Sequence, residues 1–410
     1  MSKEVDFFRK HLMTSGGVES FIKHLMQVGQ QNVHTPFCLC QEIVERLKEY
    51  THLSEKRIAV LFNIEFLNVL ARDFGVKPSQ VFMFADDAVE MEFCRLQYGM
   101  KPGVNLFLID IEKTVKAKKL VTNEGECKMK FDVVVGNPPY HPPTKTKTND
   151  GGSGSGATLY DKFVEMTINK LVKNDGFICM VHPNRWRRPG DYLWDLMAKQ
   201  DIKYLEIHNK EDGERTFGVT TRYDWYVMKC GTYSGTTVIK DELGAKVSVD
   251  LRSFFGLPNF DFELFRKIST QDESESCKVM YSYSAYESRK EWISKDKKDP
   301  FVYPVVRATG KTGVKFVWSK IRSDFFGISK VIFGDGDVIA NAIVDWDGEF
   351  AMNSHAMAIP ISTKEEGEQI KKALESDKFN LFLRATRWSN FQIDWRMFKY
   401  FRKDFWKEFI

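Results

Sequence analysis

Along this chain, short β-branched apolar runs alternate with stretches whose apolar residues recur at helical spacing. Arg57–Phe62, Val81–Phe84, Asn105–Ile109, Phe131–Val135, Phe177–Val181, Ile202–Ile207 and Trp225–Met228 read as buried strands. Between them, Glu65–Leu70, the segment through Phe93 and Leu96, and Leu159–Leu171 read as helices. Alternation of this kind predicts an α/β domain built on a largely parallel sheet. Upstream, Phe7, Phe8 and Leu12, then Phe21, Ile22, Leu25 and Met26, predict two amphipathic helices split at Ser15-Gly16-Gly17. A further helix is expected through Ile43, Val44 and Leu47, with Thr35-Pro36 as its start signal. From about residue 235 the alternation weakens. Isolated strand-like pieces follow at Phe301–Val306 and Val331–Gly334, then a helical pattern over Asp394–Ile410. The expected organisation is therefore an N-terminal helical segment (1–50), an α/β domain (51–234) and a second, α+β domain (235–410).

One strand ends in a way that suggests chemistry. After Phe131–Val135 comes Gly136-Asn137-Pro138-Pro139-Tyr140, and two prolines carry the chain out of the sheet on a rigid path. An amide, two carbonyls and an aromatic ring are thereby presented past the strand's carboxyl end, where open α/β sheets bind ligands. Such a set suits methylation of a planar exocyclic amine, whose lone pair is delocalised into its ring. The Asn137 side-chain oxygen and the Pro138 carbonyl can each accept one amine N–H, which stabilises the positive charge that develops during attack on a sulfonium methyl. Tyr140 can stack on a base turned out of its duplex.

Composition sharpens this picture in a few places. The 410 residues carry a net charge of only +4, so any surface for nucleic acid must be local. Seven scattered cysteines argue against a secreted disulfide framework. Cys38 and Cys40 have no second Cys/His pair nearby to complete a zinc site, so no metal is expected. No apolar run reaches the roughly 20 residues of a membrane span, and no signal-peptide pattern follows Met1. The expectation is a cytoplasmic protein without membrane contact.

Asn137-Pro138-Pro139-Tyr140 in this strand–turn setting resembles the catalytic motif of S-adenosylmethionine-dependent amino-methyltransferases. The order of the flanking segments is similar to that of gamma-class adenine-N6 DNA methyltransferases, in particular methylases of type IIG restriction-modification systems and their phage relatives. The resemblance implies a Rossmann-like class I methyltransferase domain followed by a C-terminal α+β target-recognition domain. It also implies S-adenosylmethionine as cofactor and double-stranded DNA as partner. By the same resemblance, Thr35-Pro36 lies over the methionine part of the cofactor, and Asp110, after the third strand, accepts the amine of its adenine. Phe217 packs on the flipped base opposite Tyr140. One departure stands out, because the glycine-bearing turn of the family after the first strand is here Asn63-Ile64. Asn63 is expected to take the left-handed conformation in the glycine's place, and Asn63 or Glu65 to meet the amino-acid end of the cofactor.

The residues themselves supply the remaining candidates. An acid at the end of the second strand, Asp86 or Asp87, can accept both ribose hydroxyls, and either is equally suited to capping the next helix. Arg185 and Arg187 around Trp186 suit phosphate contacts and stacking. Lys145 and Lys147 lie in a glycine-rich stretch beside the catalytic turn that is suited to closing over substrate or to serving as a linker. His182 has no motif context and reads as structural. The leading expectation is methyl transfer to the N6 amine of a flipped adenine in DNA, by a modification enzyme without a nuclease module. Cytosine-N4, RNA or protein glutamine as substrate, or a DNA-binding protein that has lost catalysis, are the alternatives.

Overall fold

The computed structural model describes residues 34–140, 158–388, 393 and 395–410. The two helices expected within residues 1–30 and the stretch containing Lys145 and Lys147 lie outside the described residues. The chain divides into two compact units, one ending at Arg252 but without Arg187–Gly190, the other comprising Arg187–Gly190 and Ser253–Ile410.

The first unit is organised on β1 (Ile58–Leu61), β2 (Val81–Ala85), β3 (Leu106–Leu108), β6 (Phe131–Gly136), β7 (Val172–Pro183), β8 (Asp201–His208), β9 (Tyr223–Lys229), β10 (Thr237–Lys240) and β11 (Lys246–Val249). A separate small hairpin, β4 (Val121–Thr122) with β5 (Gly125–Glu126), precedes β6. The nine-stranded sheet runs in the order β11-β10-β8-β9-β7-β6-β1-β2-β3. β1 pairs in parallel with β2 on one side and β6 on the other, and β9 runs antiparallel to both β7 and β8. All four residues of β1 are buried, as both faces of a parallel sheet must be where helices cover it. Helices Phe37–Lys48 and Ile64–Arg72 supply part of that cover, the first through Leu39, Cys40, Ile43, Val44 and Leu47.

The order of strands identifies the important place in this sheet. From β1 the chain moves outward through β2 and β3, then returns to lay β6 on the other side of β1. The crevice at the carboxyl ends of β1 and β6 is thus the topological switch point, the position from which such sheets bind ligands. It requires the two strands to approach closely at their ends. A Cβ on Gly136 would stand 2.4 Å from the Leu61 carbonyl oxygen, so only glycine closes this register.

Three local expectations change. The sheet continues past residue 234, because β10 pairs with β8 and β11 with β10, and the compact unit accordingly ends at Arg252. The Leu159–Leu171 helix is α-helical only over Tyr160–Met166 and widens to a π-turn over Thr167–Leu171. Asn174-Asp175-Gly176 is an irregularity inside β7, with Asp175 at φ +63°, rather than a turn before it.

The second unit is α+β. It contains a four-stranded sheet, ordered β12 (Ile293–Ser294), β14 (Gly313–Ser319), β13 (Tyr303–Gly310), β17 (Ala351–Met352). A three-stranded sheet is ordered β16 (Ile343–Asp345), β15 (Lys330–Gly334), β18 (Ala356–Pro360). Helices Phe262–Ile268, Lys364–Glu375 and Asp377–Ala385 accompany them. The helix expected over Asp394–Ile410 is replaced by two 3₁₀ turns, Trp395–Tyr400 and Phe405–Phe409. Between them Arg402 N donates to Ile268 O, and Cys277 N to Phe401 O, each at 2.7 Å. Those bonds draw the chain out of helical geometry, while Phe398, Phe401, Phe405 and Phe409 still reach one aromatic cluster with Phe379 and Phe382.

Candidate active site

At the end of β1 the backbone turns left-handed, but at Phe62 (φ +66°) rather than at Asn63 (φ −134°). This corrects the expectation for Asn63. A non-glycine residue in this region costs about 1–2 kcal/mol, and burial of the Phe62 ring edge-on to Phe163 at 4.9 Å offsets it. Asn63 begins helix Ile64–Arg72 without using its side chain as a cap. Its Oδ1 is buried with no hydrogen-bond partner among the described residues, and the same holds for Glu65 Oε2 and His34 Nε2. The other oxygen of Glu65 meets His34 Nδ1 at 2.9 Å. Burial opposes a charge on His34, but the Glu65 carboxylate outweighs it and holds the imidazole above its ordinary pKa.

Thr35 follows His34 and is fully buried. Its hydroxyl does not cap the Phe37–Lys48 helix. Instead it accepts a hydrogen bond from Asn137 Nδ2 at 3.2 Å. His34 and Thr35 therefore tie the ends of β1 and β6 together, one through Glu65 and the other through Asn137. With its amino group held by Thr35, the Asn137 amide has one orientation. Pro138 beside it is buried, while Pro139 and Tyr140 are half-buried. Burial pushes the Tyr140 phenol well above its usual pKa. Tyr140 O accepts from Leu159 N at 3.0 Å, which fastens the exit of the turn.

The end of β2 separates the two adjacent acids. Asp87 caps helix Ala88–Tyr98, accepting from Val89 N at 2.7 Å and Glu90 N at 2.8 Å. Asp86 immediately precedes it and is half-buried. Glu90 escaped the sequence reading. It is 4% exposed, and burial first, then the charges of Asp86, Asp87 and Glu65, raise its carboxyl far above the usual range. Its position in the first turn of a helix, inside an apolar face, is the signal that could have found it. Asp110 caps helix Ile111–Ala117 through Lys113 N at 2.9 Å and pairs with Lys113 Nζ at 2.9 Å.

Phe217 closes helix Lys210–Phe217, half-buried and edge-on to Tyr223 at 4.9 Å. The Tyr223 ring lies flat on His208, with centroids 4.3 Å apart and planes 5° apart. His182 is fully buried and stacked on Tyr160 at 4.9 Å, in keeping with a structural role.

The proposed phosphate contacts fare differently from one another. Trp186 is fully buried and donates to Asp224 Oδ2 at 2.8 Å. Arg187 is fully buried too, and its guanidinium donates to the carbonyls of Leu257 and Pro258 and to Asn259 Oδ1. Neither can reach a phosphate, because burial and internal hydrogen bonds consume them. Arg185 is exposed, 3.8 Å from Asp191.

With this geometry described, the chain can be set beside known proteins. Residues 81–216, about a third of the chain, match the family model described as Eco57I restriction-modification methylase. Over these residues the chain resembles restriction-modification methylases. The first unit has a Rossmann-like α/β fold, a largely parallel sheet in which β9 runs antiparallel between β7 and β8. Similar solved structures include the type IIG restriction endonuclease BpuSI, at 11% identity and TM-score 0.44, covering 92% of this chain and 61% of that one. The type IIL restriction-modification enzyme MmeI in complex with DNA is 12% identical with TM-score 0.45, covering 87% of this chain and 63% of that one. The type I restriction-modification system methyltransferase subunit from Streptococcus thermophilus is 15% identical with TM-score 0.37, covering 50% of this chain and 47% of that one. This chain thus spans about half to two thirds of the length of these structural relatives. No curated protein matches it. Among the described residues, no helix is long and apolar enough to cross a membrane.

Proposed function

We propose that this protein is a site-specific DNA methyltransferase that modifies the N6 amine of an adenine turned out of the duplex. The observation that carries the reading is the Asn137 amide, pinned by the buried Thr35 hydroxyl at the switch point of the sheet. An amide fixed through its nitrogen turns its oxygen to one place. There it accepts an N–H of the incoming amine while the Pro138 carbonyl accepts the other. Both acceptors are set before the reaction begins, so no reorganisation is needed as positive charge grows on the nitrogen. Tyr140 would stack on the extruded base and Phe217 would pack against its other side, excluding water and holding the amine in line. The proton lost by the amine needs no dedicated base, since it becomes acidic once the methyl is attached.

S-adenosylmethionine, when bound, supplies the electrophilic methyl group. The residues at the ends of β1 and β2 fit it. Asn63 Oδ1 and Glu65 Oε2 are buried acceptors without hydrogen-bond partners among the described residues, suited to an ammonium group. Asp87 is committed to capping, so we assign the ribose hydroxyls to Asp86. Asp110 retains the adenine amine by resemblance, although Lys113 already engages its carboxylate. Thr35-Pro36 would border the methionine part.

The test is tritiated methyl transfer from S-adenosylmethionine to unmethylated plasmid DNA, followed by nucleoside analysis. Label in N6-methyladenine is expected, falling about 10²–10³-fold in Asn137→Ala with unchanged melting temperature. Label in N4-methylcytosine would move the substrate to cytosine. Cofactor binding without label on DNA would point to RNA or protein, and DNA binding without cofactor binding to a protein that has lost catalysis.

A further inference from the structure

The net charge of +4 conceals a strong local imbalance. Residues 289–322 contain ten Lys and Arg against three Asp and Glu, a surplus of seven, so the rest of the chain is net acidic. These residues form β12, the β13–β14 hairpin and their connections in the second unit. Among the described residues, Arg289 alone of the ten lies within ion-pair distance of a carboxylate, that of Glu287. The others are unneutralised, and all but Lys290 are exposed. Cations left unpaired on one short ribbon repel each other, which a purely structural element gains nothing by keeping.

The ribbon's geometry gives the charge a direction. β13 and β14 pair as Val306 with Phe316 and Ala308 with Lys315, so Arg307 stands outside the ladder at a bulge. Bulges re-aim side chains in this way. Arg307, Lys315 and Phe316 are all exposed beside it. Lys311 sits at the tip, in the two-residue connection between Gly310 and Gly313. Aromatic rings are interleaved with the cations, Lys297 lying 4.9 Å over Trp318 and Lys290 5.4 Å over Trp292.

We infer that the β13–β14 ribbon is a docking surface for duplex DNA, entering the major groove with Arg307, Lys311 and Lys315 against the phosphates. The major groove admits a two-stranded ribbon, and unpaired lysines and arginines along it release counterions on binding. The inference rests on the methylase reading for its choice of DNA. It moves the DNA contacts from Trp186 and Arg187, which are buried, to a ribbon within the expected target-recognition domain, and names the residues of that ribbon which would carry them.

The test is binding of the full chain to a short fluorescent DNA duplex by anisotropy, titrated with salt and without cofactor. The variant combining Arg307→Gln, Lys311→Gln and Lys315→Gln should lower the slope of log affinity against log salt by about 2–3 and weaken binding about 100-fold. Arg307→Lys with Lys311→Arg and Lys315→Arg keeps the charge and should bind as the parent does. So should Lys364→Gln with Lys371→Gln and Lys372→Gln, on a helix of the same unit. Equal affinity and slope in the ribbon variant and the parent would overturn the inference, as would an equal loss in the helix variant. Failure of the parent to bind duplex, or preference for single-stranded RNA, would overturn it as well. A parent that binds duplex through the ribbon yet transfers no methyl group would fail the methylase reading and leave this inference standing, which separates the two.

Discussion

The two units differ in how they hold their buried polar groups. In the first, acceptors at the end of β1 are buried and without partners among the described residues, notably Asn63 Oδ1 and Glu65 Oε2. In the second, Lys330 is fully buried yet complete: its ammonium donates to Asp345 Oδ2 at 2.5 Å, Phe325 O at 2.8 Å and Ile328 O at 3.0 Å. Asp345 in turn accepts from the backbone of Glu349 and Phe350. The second unit carries exposed cations without ion pairs among the described residues, Arg307, Lys311 and Lys315 of the β13–β14 ribbon among them. An unsatisfied group costs stability wherever it is buried, so a fold retains it only where something else will satisfy it. Buried and incomplete marks a site for a small ligand. Exposed and unpaired marks a surface for a large one.

The largest expected effect tests the claim that the second unit's buried charge is structural. Lys330→Met leaves Asp345 buried without its cation and should cost about 3–5 kcal/mol in urea unfolding. A loss below about 1 kcal/mol would show that this pair is not what holds the unit together. Next in size is Gly136→Ala. Its methyl would press on the Leu61 carbonyl and force β1 and β6 apart, costing about 2–3 kcal/mol with methyl transfer lost, as read by melting and the tritium assay.

An acid titration sharpens the comparison further. Glu206 is buried in the first unit; burial opposes its charge, but the His208 imidazole 3.4 Å away and hydrogen bonds from Lys240 and Tyr204 prevail and hold the carboxyl at about 2. A depressed carboxyl stabilises the fold above its ordinary unfolded value and loses that contribution as pH falls towards about 2. His208 behaves in the opposite sense. Burial opposes its charge, Asp212 and Glu206 outweigh that, and the stabilisation present below the unfolded pKa fades as pH rises through the raised one. The first unit should therefore lose about 2 kcal/mol on acidification below the ordinary glutamate range, and Glu206→Gln should flatten that limb of the stability–pH curve. A curve unchanged by Glu206→Gln would remove this network from the account.

The smallest effect is the most informative about the site. Thr35→Val deprives the Asn137 amide of its acceptor and should slow methyl transfer about tenfold, equivalent to about 1.4 kcal/mol, with little change in melting. Thr35→Ser should restore the rate. If valine behaves like serine, Thr35 does not orient the amide.

Much of the first unit was legible because its strands are buried on both faces and therefore read as unbroken apolar runs. Residues 131–140 announced both the strand and its ending, since two prolines admit few continuations. The left-handed residue was misplaced, because Asn tolerates that conformation better than Phe and no local rule foresees a Phe62 held there by Phe163. Trp186 and Arg187 misled for a related reason. Arginine beside tryptophan is equally good chemistry for phosphate and for capturing buried carbonyls, and only burial distinguishes the two. The closing helix failed because Phe398, Phe401, Phe405 and Phe409 fit helical spacing, while long-range backbone bonds from residues 401 and 402 take precedence. The charge surplus of residues 289–322 was countable from the outset, but only the bulge at Arg307 gives it a shape.

By itself, then, the sequence determined the α/β alternation, the rigid turn at Asn137–Tyr140 and the chemistry that such a turn favours. These follow from local constraints: period, proline and the identity of the side chains. The tertiary structure decided which of Asp86 and Asp87 caps a helix, that Thr35 grips Asn137, and that Arg187 faces inward while Arg307 faces out. Those outcomes depend on contacts between residues distant along the chain, whose energies no local pattern contains.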